Sequence, residues 1–177
     1  TILPEKLRRP GNHDRIEIMA FPPLGIQTLA PVIREHGHEV TLFDTCHPRM
    51  KEEHIEQAVK DGGPDLIALS FLSTTSYPAA KSMAQRLKQA APATPIMVGG
   101  AFATVNAVEI LHDAPYIDCV GRGEGEELIP EYLEHPEDPE AVGGLTWRSD
   151  GEVRHNPDRP LIQDLDRFPY PDRKSLP

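Results

Sequence analysis

The chain is predicted to fold as an α/β domain on a doubly wound, mainly parallel five-stranded sheet, with a C-terminal β-hairpin and an extended tail. Two patterns carry this expectation. Short apolar runs alternate with amphipathic segments of helical length, as strand–helix units feeding a buried parallel sheet do. After the last unit an Asp-Gly pair sits between two alternating stretches, and five prolines then crowd the end of the chain.

The elements follow in order. Residues 15–21 read as a first strand, stopped by Pro22 and Pro23. Residues 26–36 place Ile26, Leu29, Ala30 and Ile33 on one helical face, with Gly37 as the stop. Residues 39–43 form a second strand, and 51–60 a polar helix with the stripe Ile55, Ala58 and Val59, broken by Gly62, Gly63 and Pro64. Residues 65–71 are the most hydrophobic strand and are therefore placed centrally, under a helix over 78–90 that turns Ala80, Met83, Ala84 and Leu87 inward. A fourth strand over 95–98 runs into Gly99 and Gly100, a short helix covers 103–111, and a fifth strand covers 117–120. A helix over 124–133 then faces Leu128, Ile129 and Leu133 to the core.

Stretches 145–148 and 152–155 flank Ser149, Asp150 and Gly151 as a hairpin. In domain terms, 1–14 is a lead, 15–135 the α/β domain, 136–156 a hairpin extension and 157–177 a linker. That linker lacks hydrophobic periodicity and is expected to add little to folding of the core.

Composition narrows the function. A chain of 177 residues is one ordinary domain, and 38% hydrophobic with 26% charged residues is globular. A formal charge of -10 with no basic stripe disfavours nucleic acid; Lys6, Arg8 and Arg9 read as a solvated lead-in. The two cysteines, Cys46 and Cys119, are far apart and form neither a disulfide framework nor a thiolate zinc site. No apolar run approaches the roughly 20 residues that span a bilayer, so membrane insertion is not expected and a cytoplasmic location is.

Ligands of open parallel sheets bind beyond the carboxyl ends of the strands. The segments there are Pro22 to Ile26; Ser70, Phe71, Leu72, Ser73, Thr74 and Thr75; Gly99, Gly100, Ala101 and Phe102; and Gly121, Arg122, Gly123, Glu124 and Gly125. Small residues let a ligand approach the backbone, and hydroxyls offer it hydrogen bonds. Any one of these loops alone reads as an ordinary turn; together they describe a broad, polar-edged cleft. The Gly-x-Gly-x-Gly at 121–125 follows the wrong strand for a dinucleotide site, and no Gly-x-x-x-x-Gly-Lys-Ser/Thr occurs. Glu124 and Glu126 read as acidic residues at a helix start.

In combination, Pro-Pro-x-Gly-Ile at 22–26, Gly-His-Glu-Val at 37–40, Ser70-x-Leu72, Val-Gly-Gly at 98–100 and Asp118-x-Val-x-x-Gly-Glu-Gly-Glu126 resemble the cobalamin-binding domain of B12-dependent radical-SAM enzymes. The likeness spans about 15–133, and residues 165–173 resemble that family's bridge toward its radical-SAM barrel. It implies a Rossmann-like, flavodoxin-like layout and cobalamin as the cofactor. Ser70 and Leu72 would line the slot for the dimethylbenzimidazole tail, Gly99 and Gly100 would offer bare backbone, and Val120, Gly121 and Gly123 would edge the corrin or tail. Pro23, Leu24, Gly25, Ile26, Ser73, Thr74, Thr75, Ala101, Phe102, Arg122 and Glu124 complete the expected contacts.

The resemblance further implies a parent enzyme, a methyltransferase or a tetrapyrrole cyclase, whose S-adenosylmethionine and [4Fe–4S] cluster belong to a catalytic domain of the same polypeptide. This stretch has no Cys-x-x-x-Cys-x-x-Cys to hold that cluster and no expected catalytic residue. It also departs from the wider B12 pattern, in which Asp-x-His-x-x-Gly after the first strand supplies a cobalt ligand. Pro22 to Ile26 hold neither Asp nor His, and His47 follows the wrong strand. The corrinoid is therefore expected base-off and without a His ligand, and no protein metal ligand is expected. Two other readings stand beside this one: a degenerate domain used only for docking, and a signalling receiver. The receiver is disfavoured because Phe21, Pro22, Ser70 and Phe71 stand where it needs acidic residues.

Overall fold

The computed structural model describes residues 23–47 and 49–176. The order is α1 (Leu24–Glu35), α2 (Glu52–Gly62), β1 (Ile67–Ser70), α3 (Tyr77–Ala90), β2 (Ile96–Gly99), α4 (Ala101–Val105), α5 (Ala107–Asp113), β3 (Cys119–Gly121), α6 (Gly125–Glu134), β4 (Leu145–Ser149) and β5 (Glu152–His155). The strands form one sheet in the order β1-β2-β3-β4-β5. β1, β2 and β3 are parallel, with Ser70 opposite Gly99 and Val98 opposite Val120. β4 runs antiparallel to β3, and β5 antiparallel to β4.

Helices cover both faces because the strands are apolar on both. Ile96 and Val98 enter one core with Ile55, Val59, Met83, Leu87, Ile110 and Leu111, whereas Met97 and Cys119 enter the other with Leu128, Ile129, Tyr132 and Leu145. Adjacent strand residues thus serve opposite cores, as the two-residue period requires. Leu87, Ile96, Ile110, Leu111 and Leu128 are all at most 1% exposed, and each such burial contributes about 1.5–3 kcal/mol. Helix ends follow local chemistry. Glu52 and Glu53 open α2, Lys60 lies in its last turn, and Gly63 caps it at φ 54°. α1 and α6 pack closely because Gly125 presents no side chain to Leu29; a Cβ there would lie 3.0 Å from Leu29 Cδ2.

Three of the five expected core strands, at 65–71, 95–98 and 117–120, are present as β1, β2 and β3. Residues 15–21 lie outside the described residues. Residues 39–43 run without strand pairing, since a segment with no ladder partner beside it among the described residues cannot register as one. Two of the five strands are instead the hairpin, which continues the sheet beyond β3. Its turn is the one expected, with Asp150 at φ 49° and Gly151 at φ 82° joining Ser149 to Glu152. The apolar strand β1 stands at one end of the described sheet rather than in the middle; β2, with Ile96, Met97 and Val98 all buried, has the central character. The helix expected over 103–111 is two short helices parted at Asn106, whose Nδ2 donates back to the Phe102 carbonyl at 2.8 Å.

The tail also departs from expectation, because it lies against α1 and α6. Arg159 pairs with Glu127 and Glu131, Arg167 with Glu127, and Asp172 with Arg34 at 2.5 Å. The backbone takes part through a proline effect. Pro31 inside α1 has no N–H for the Gln27 carbonyl, and the Asp172 N–H donates to that carbonyl instead at 2.8 Å.

Candidate cofactor-binding site

The parallel strands bring Ser70, Gly99 and Gly121 to one edge. Ser70 is the register partner of Gly99, and the Phe71 N–H donates to the Gly99 carbonyl at 3.1 Å, so these two strand ends are laced together. Ser70 is exposed, and its hydroxyl has no hydrogen-bond partner among the described residues. A Cβ on Gly99 would stand 3.5 Å from the Gly121 carbonyl, which measures how near the next strand end lies.

Gly100 is the most constrained point. It has φ 101° and ψ 174°, a region essentially confined to glycine. A side chain there would run into the Phe71 backbone, 3.1 Å from its carbonyl carbon, 3.2 Å from its nitrogen and closer still to its oxygen. The β3–α6 loop joins the same edge, since the Gly123 N–H donates to Thr104 Oγ1 at 3.1 Å while the Thr104 hydroxyl donates to the Gly100 carbonyl at 3.1 Å. Three large apolar side chains of the α1 start, the β1–α3 loop and the α4 end are exposed: Leu24 at 53%, Leu72 at 74% and Val105 at 77%. Leu72 follows β1 and Val105 closes the α4 that follows β2, and exposed apolar groups in such segments suit a ligand surface.

Several predicted residues have other duties. The Arg122 side chain is 5% exposed and turned toward the hairpin. Its Nη1 donates to the Leu145 carbonyl at 3.1 Å, to His155 Nδ1 at 3.2 Å and to Thr146 Oγ1; its Nη2 donates to the Asn156 carbonyl at 2.5 Å and to Asp158 Oδ1 at 2.8 Å. Glu124 Oε2 accepts the Ile162 N–H at 2.7 Å. Phe102 packs, with tilted rings, against the buried Phe71 and the half-buried Tyr77, with centroids 6.0 and 5.5 Å away, and Val120 is fully buried. Ser73, Thr75 and Ser76 bond to one another in the turn that starts α3, whereas Thr74 is exposed. Pro23 stands at the N-cap of α1, and a Cβ on Gly25 would meet no described residue within 4 Å. Ala101 is exposed at the start of α4.

Thr104 and Val105 were not anticipated. The signal was available in part: a hydroxyl four residues after Gly100 reaches back to that carbonyl once the segment is helical. Asp118, part of the motif, lies at the opposite end of β3, where its Oδ2 accepts the Ile96 N–H at 2.6 Å and Lys88 Nζ at 2.9 Å. His47 Nδ1 accepts the Arg49 N–H at 3.3 Å. Among the described residues no group of three or more His, Cys, Asp or Glu is placed to hold a metal ion, and no helix is long and apolar enough to cross a membrane.

An α/β sheet with parallel strands ending in glycines at one edge is the layout in which ligands lie beyond the carboxyl ends of the strands. The B12 binding domain family matches residues 19–133, and the chain belongs to that family, whose cofactor is cobalamin. An uncharacterized methyltransferase of Pyrococcus horikoshii is 31% identical over 88% of this chain and 34% of its own length. The anaerobic magnesium-protoporphyrin IX monomethyl ester cyclase of Synechocystis is also 31% identical, over 90% of this chain and 33% of its own. The chain thus spans about a third of the length of these relatives. The fold is shared with the radical S-adenosylmethionine methyltransferase TsrM of Kitasatospora setae, solved with cobalamin and a [4Fe-4S] cluster bound, at TM-score 0.67 and 14% identity over 84% of this chain and 28% of that one. It is shared likewise with the cobalamin-dependent radical enzyme OxsB, at TM-score 0.68 and 19% identity over 84% of this chain and 21% of that one.

The residues present fit the cofactor. Strand ends without side chains at Gly99, Gly100 and Gly121, a Ser70 hydroxyl with no hydrogen-bond partner among the described residues, and the exposed apolar Leu72 and Val105 in the segments that follow suit a large, flat group with a polar tail.

Proposed function

We propose that this chain holds cobalamin for a radical-SAM catalytic domain of the same polypeptide, in an enzyme of the methyltransferase or tetrapyrrole cyclase type. The observation that carries the reading is the glycine-only conformation of Gly100, pressed on Phe71 and flanked by Ser70 and Gly99. Ser70 would hydrogen-bond the nucleotide tail, Gly99 and Gly100 would give it backbone to lie on, and Leu24, Leu72 and Val105 would cover apolar faces of the corrin. The cofactor supplies a cobalt centre able to carry a methyl group or accept an electron, and the S-adenosylmethionine and cluster chemistry belongs to the catalytic domain. The relatives support this assignment, since they include both a methyltransferase and cyclases about three times as long as this chain.

The tail of cobalamin lying along Ser70 and Gly99 cannot also reach the metal, so the corrinoid is held base-off. Pro23, Leu24, Gly25 and Ile26 offer no imidazole in its place. Electron paramagnetic resonance of the cob(II)alamin-bound chain tests this. Cobalt lines without nitrogen splitting are expected. Triplets that disappear in His47→Ala would make His47 the ligand, and triplets that survive it would mean the tail itself is coordinated; either result overturns the base-off, His-off assignment.

A further inference from the structure

The two residues of the cofactor loop that carry charge, Arg122 and Glu124, both hold the tail. Arg122 grips Asp158, whose carboxylate is 85% exposed on its outer side, and Glu124 accepts the Ile162 amide. The backbone is laced at the same place, because the Arg122 N–H donates to the Gly144 carbonyl at 2.9 Å and the Gly144 N–H donates to the Pro157 carbonyl at 2.7 Å. Farther along, Arg159 reaches Glu127 and Glu131 on α6, and Asp172 closes onto Gln27 and Arg34 of α1. Residues 157–172 therefore form a strap whose first anchor points are the side chains of a loop that offers its glycines, Gly121 and Gly123, to the ligand edge.

We infer that Arg122 and Glu124 are positioning residues that couple the cofactor loop to this strap. Anchoring of the strap fixes Gly121 and Gly123 at the carboxyl edge, and a ligand seated on those glycines in turn tightens the strap. The coupling is reciprocal by linkage: whatever factor the anchored strap adds to ligand affinity, the ligand adds to strap anchoring. This inference rests on the assignment of cobalamin to the edge. It makes the segment following the hairpin a reporter of cofactor occupancy rather than a free connector.

The test uses the 177-residue chain, hydroxocobalamin, and the exposed or half-buried partners in place of the buried Arg122, so that the fold survives. Amide hydrogen exchange of residues 157–172 is measured with and without hydroxocobalamin, and binding is titrated by visible absorption, in the wild type and in Glu124→Ala/Asp158→Ala. Circular dichroism checks that the variant is folded. Expected are slower tail exchange when cobalamin is bound, faster exchange of the Ile162 amide in the variant, and weaker cobalamin binding by about fivefold or more in the variant. Asp158→Glu, which keeps the charge, should restore most of the affinity in the single-site background. Wild-type binding with tail exchange indifferent to cobalamin, together with equal affinity in the variant, would overturn the coupling while leaving the cofactor assignment intact. A wild-type chain that does not bind hydroxocobalamin would overturn both.

Discussion

Replacing Gly100 by alanine tests the geometry of the edge at its tightest point. The residue sits at φ 101°, and holding a side chain in so sparsely populated a region costs about 1–3 kcal/mol. The new Cβ also meets the Phe71 backbone at 3.1 and 3.2 Å and its oxygen at shorter range. Backbone cannot rotate away as a flexible side chain can, and forced overpacking adds about 1–3 kcal/mol more. Gly123→Ala is the matched control, for it has φ 78° but no described residue within 4 Å of the added atom, so the conformational cost is what applies. At about 2–4 °C per kcal/mol for a chain of this size, Gly100→Ala should lower the thermal midpoint well beyond Gly123→Ala, by on the order of 10 °C in all. Differential scanning calorimetry of the three proteins decides it. Equal losses at the two glycines would refute the claim that Gly100 is wedged against Phe71.

Three further outcomes are expected. Truncation after Asn156 removes Asp158 and the Arg159, Arg167 and Asp172 contacts and takes a carboxylate partner from the buried Arg122 guanidinium; the thermal midpoint should therefore fall, and an unchanged midpoint would mean the strap adds nothing to the fold. Arg122 beside Asp158, and the Ser175 hydroxyl with Arg34 and the backbone N–H groups of Lys174 and Ser175 around Asp172, hold both carboxyls below the usual carboxylate range. Depressed carboxyls stabilise fully above the unfolded value, about 3.9, and lose that contribution as the pH falls through the folded values, so the strap amides should loosen below about pH 4 and not between pH 5 and 8; an identical acid response in Asp158→Asn/Asp172→Asn by NMR would contradict this. Burial pushes the Cys119 thiol up, with Asp118 adding to the effect, so alkylation at neutral pH should spare Cys119 until the chain unfolds, as peptide mapping would show.

The sequence made the helices and the hairpin turn legible because their signals are local. The stripe Met83, Ala84 and Leu87, the left-handed stop at Gly63 and the Asp150-Gly151 turn each depend on a few neighbouring residues. What is decided by partners distant in the chain was misread. The hairpin joins the sheet because β3 offers Cys119 to Gly121 as a free edge to Leu145 to Trp147, and nothing in residues 145–155 alone specifies that neighbour. The candidate site divides the same way. Strand-end residues such as Ser70, Gly99 and Gly100 could be placed at one edge from the parallel topology, but the direction of the Arg122 and Glu124 side chains depends on Asp158 and Ile162, more than 30 residues away. The proline-rich tail looked free because its anchors are single charged residues without periodicity. Pro31 within a helical pattern was the one local hint, since it leaves the Gln27 carbonyl for Asp172 to use.

The central claim, that the carboxyl edge binds cobalamin, is tested most directly by retention of hydroxocobalamin on the chain through a desalting column, read by visible absorption. The account predicts that the wild-type chain emerges coloured with close to one cobalamin bound, and that folded Ser70→Leu and Ser70→Phe variants emerge depleted, because each puts bulk at the exposed strand end beside Gly99 where the cofactor must lie. A colourless wild-type chain would contradict the claim, and variants that retain cobalamin as well as the wild type would move the site away from Ser70, Gly99 and Gly100.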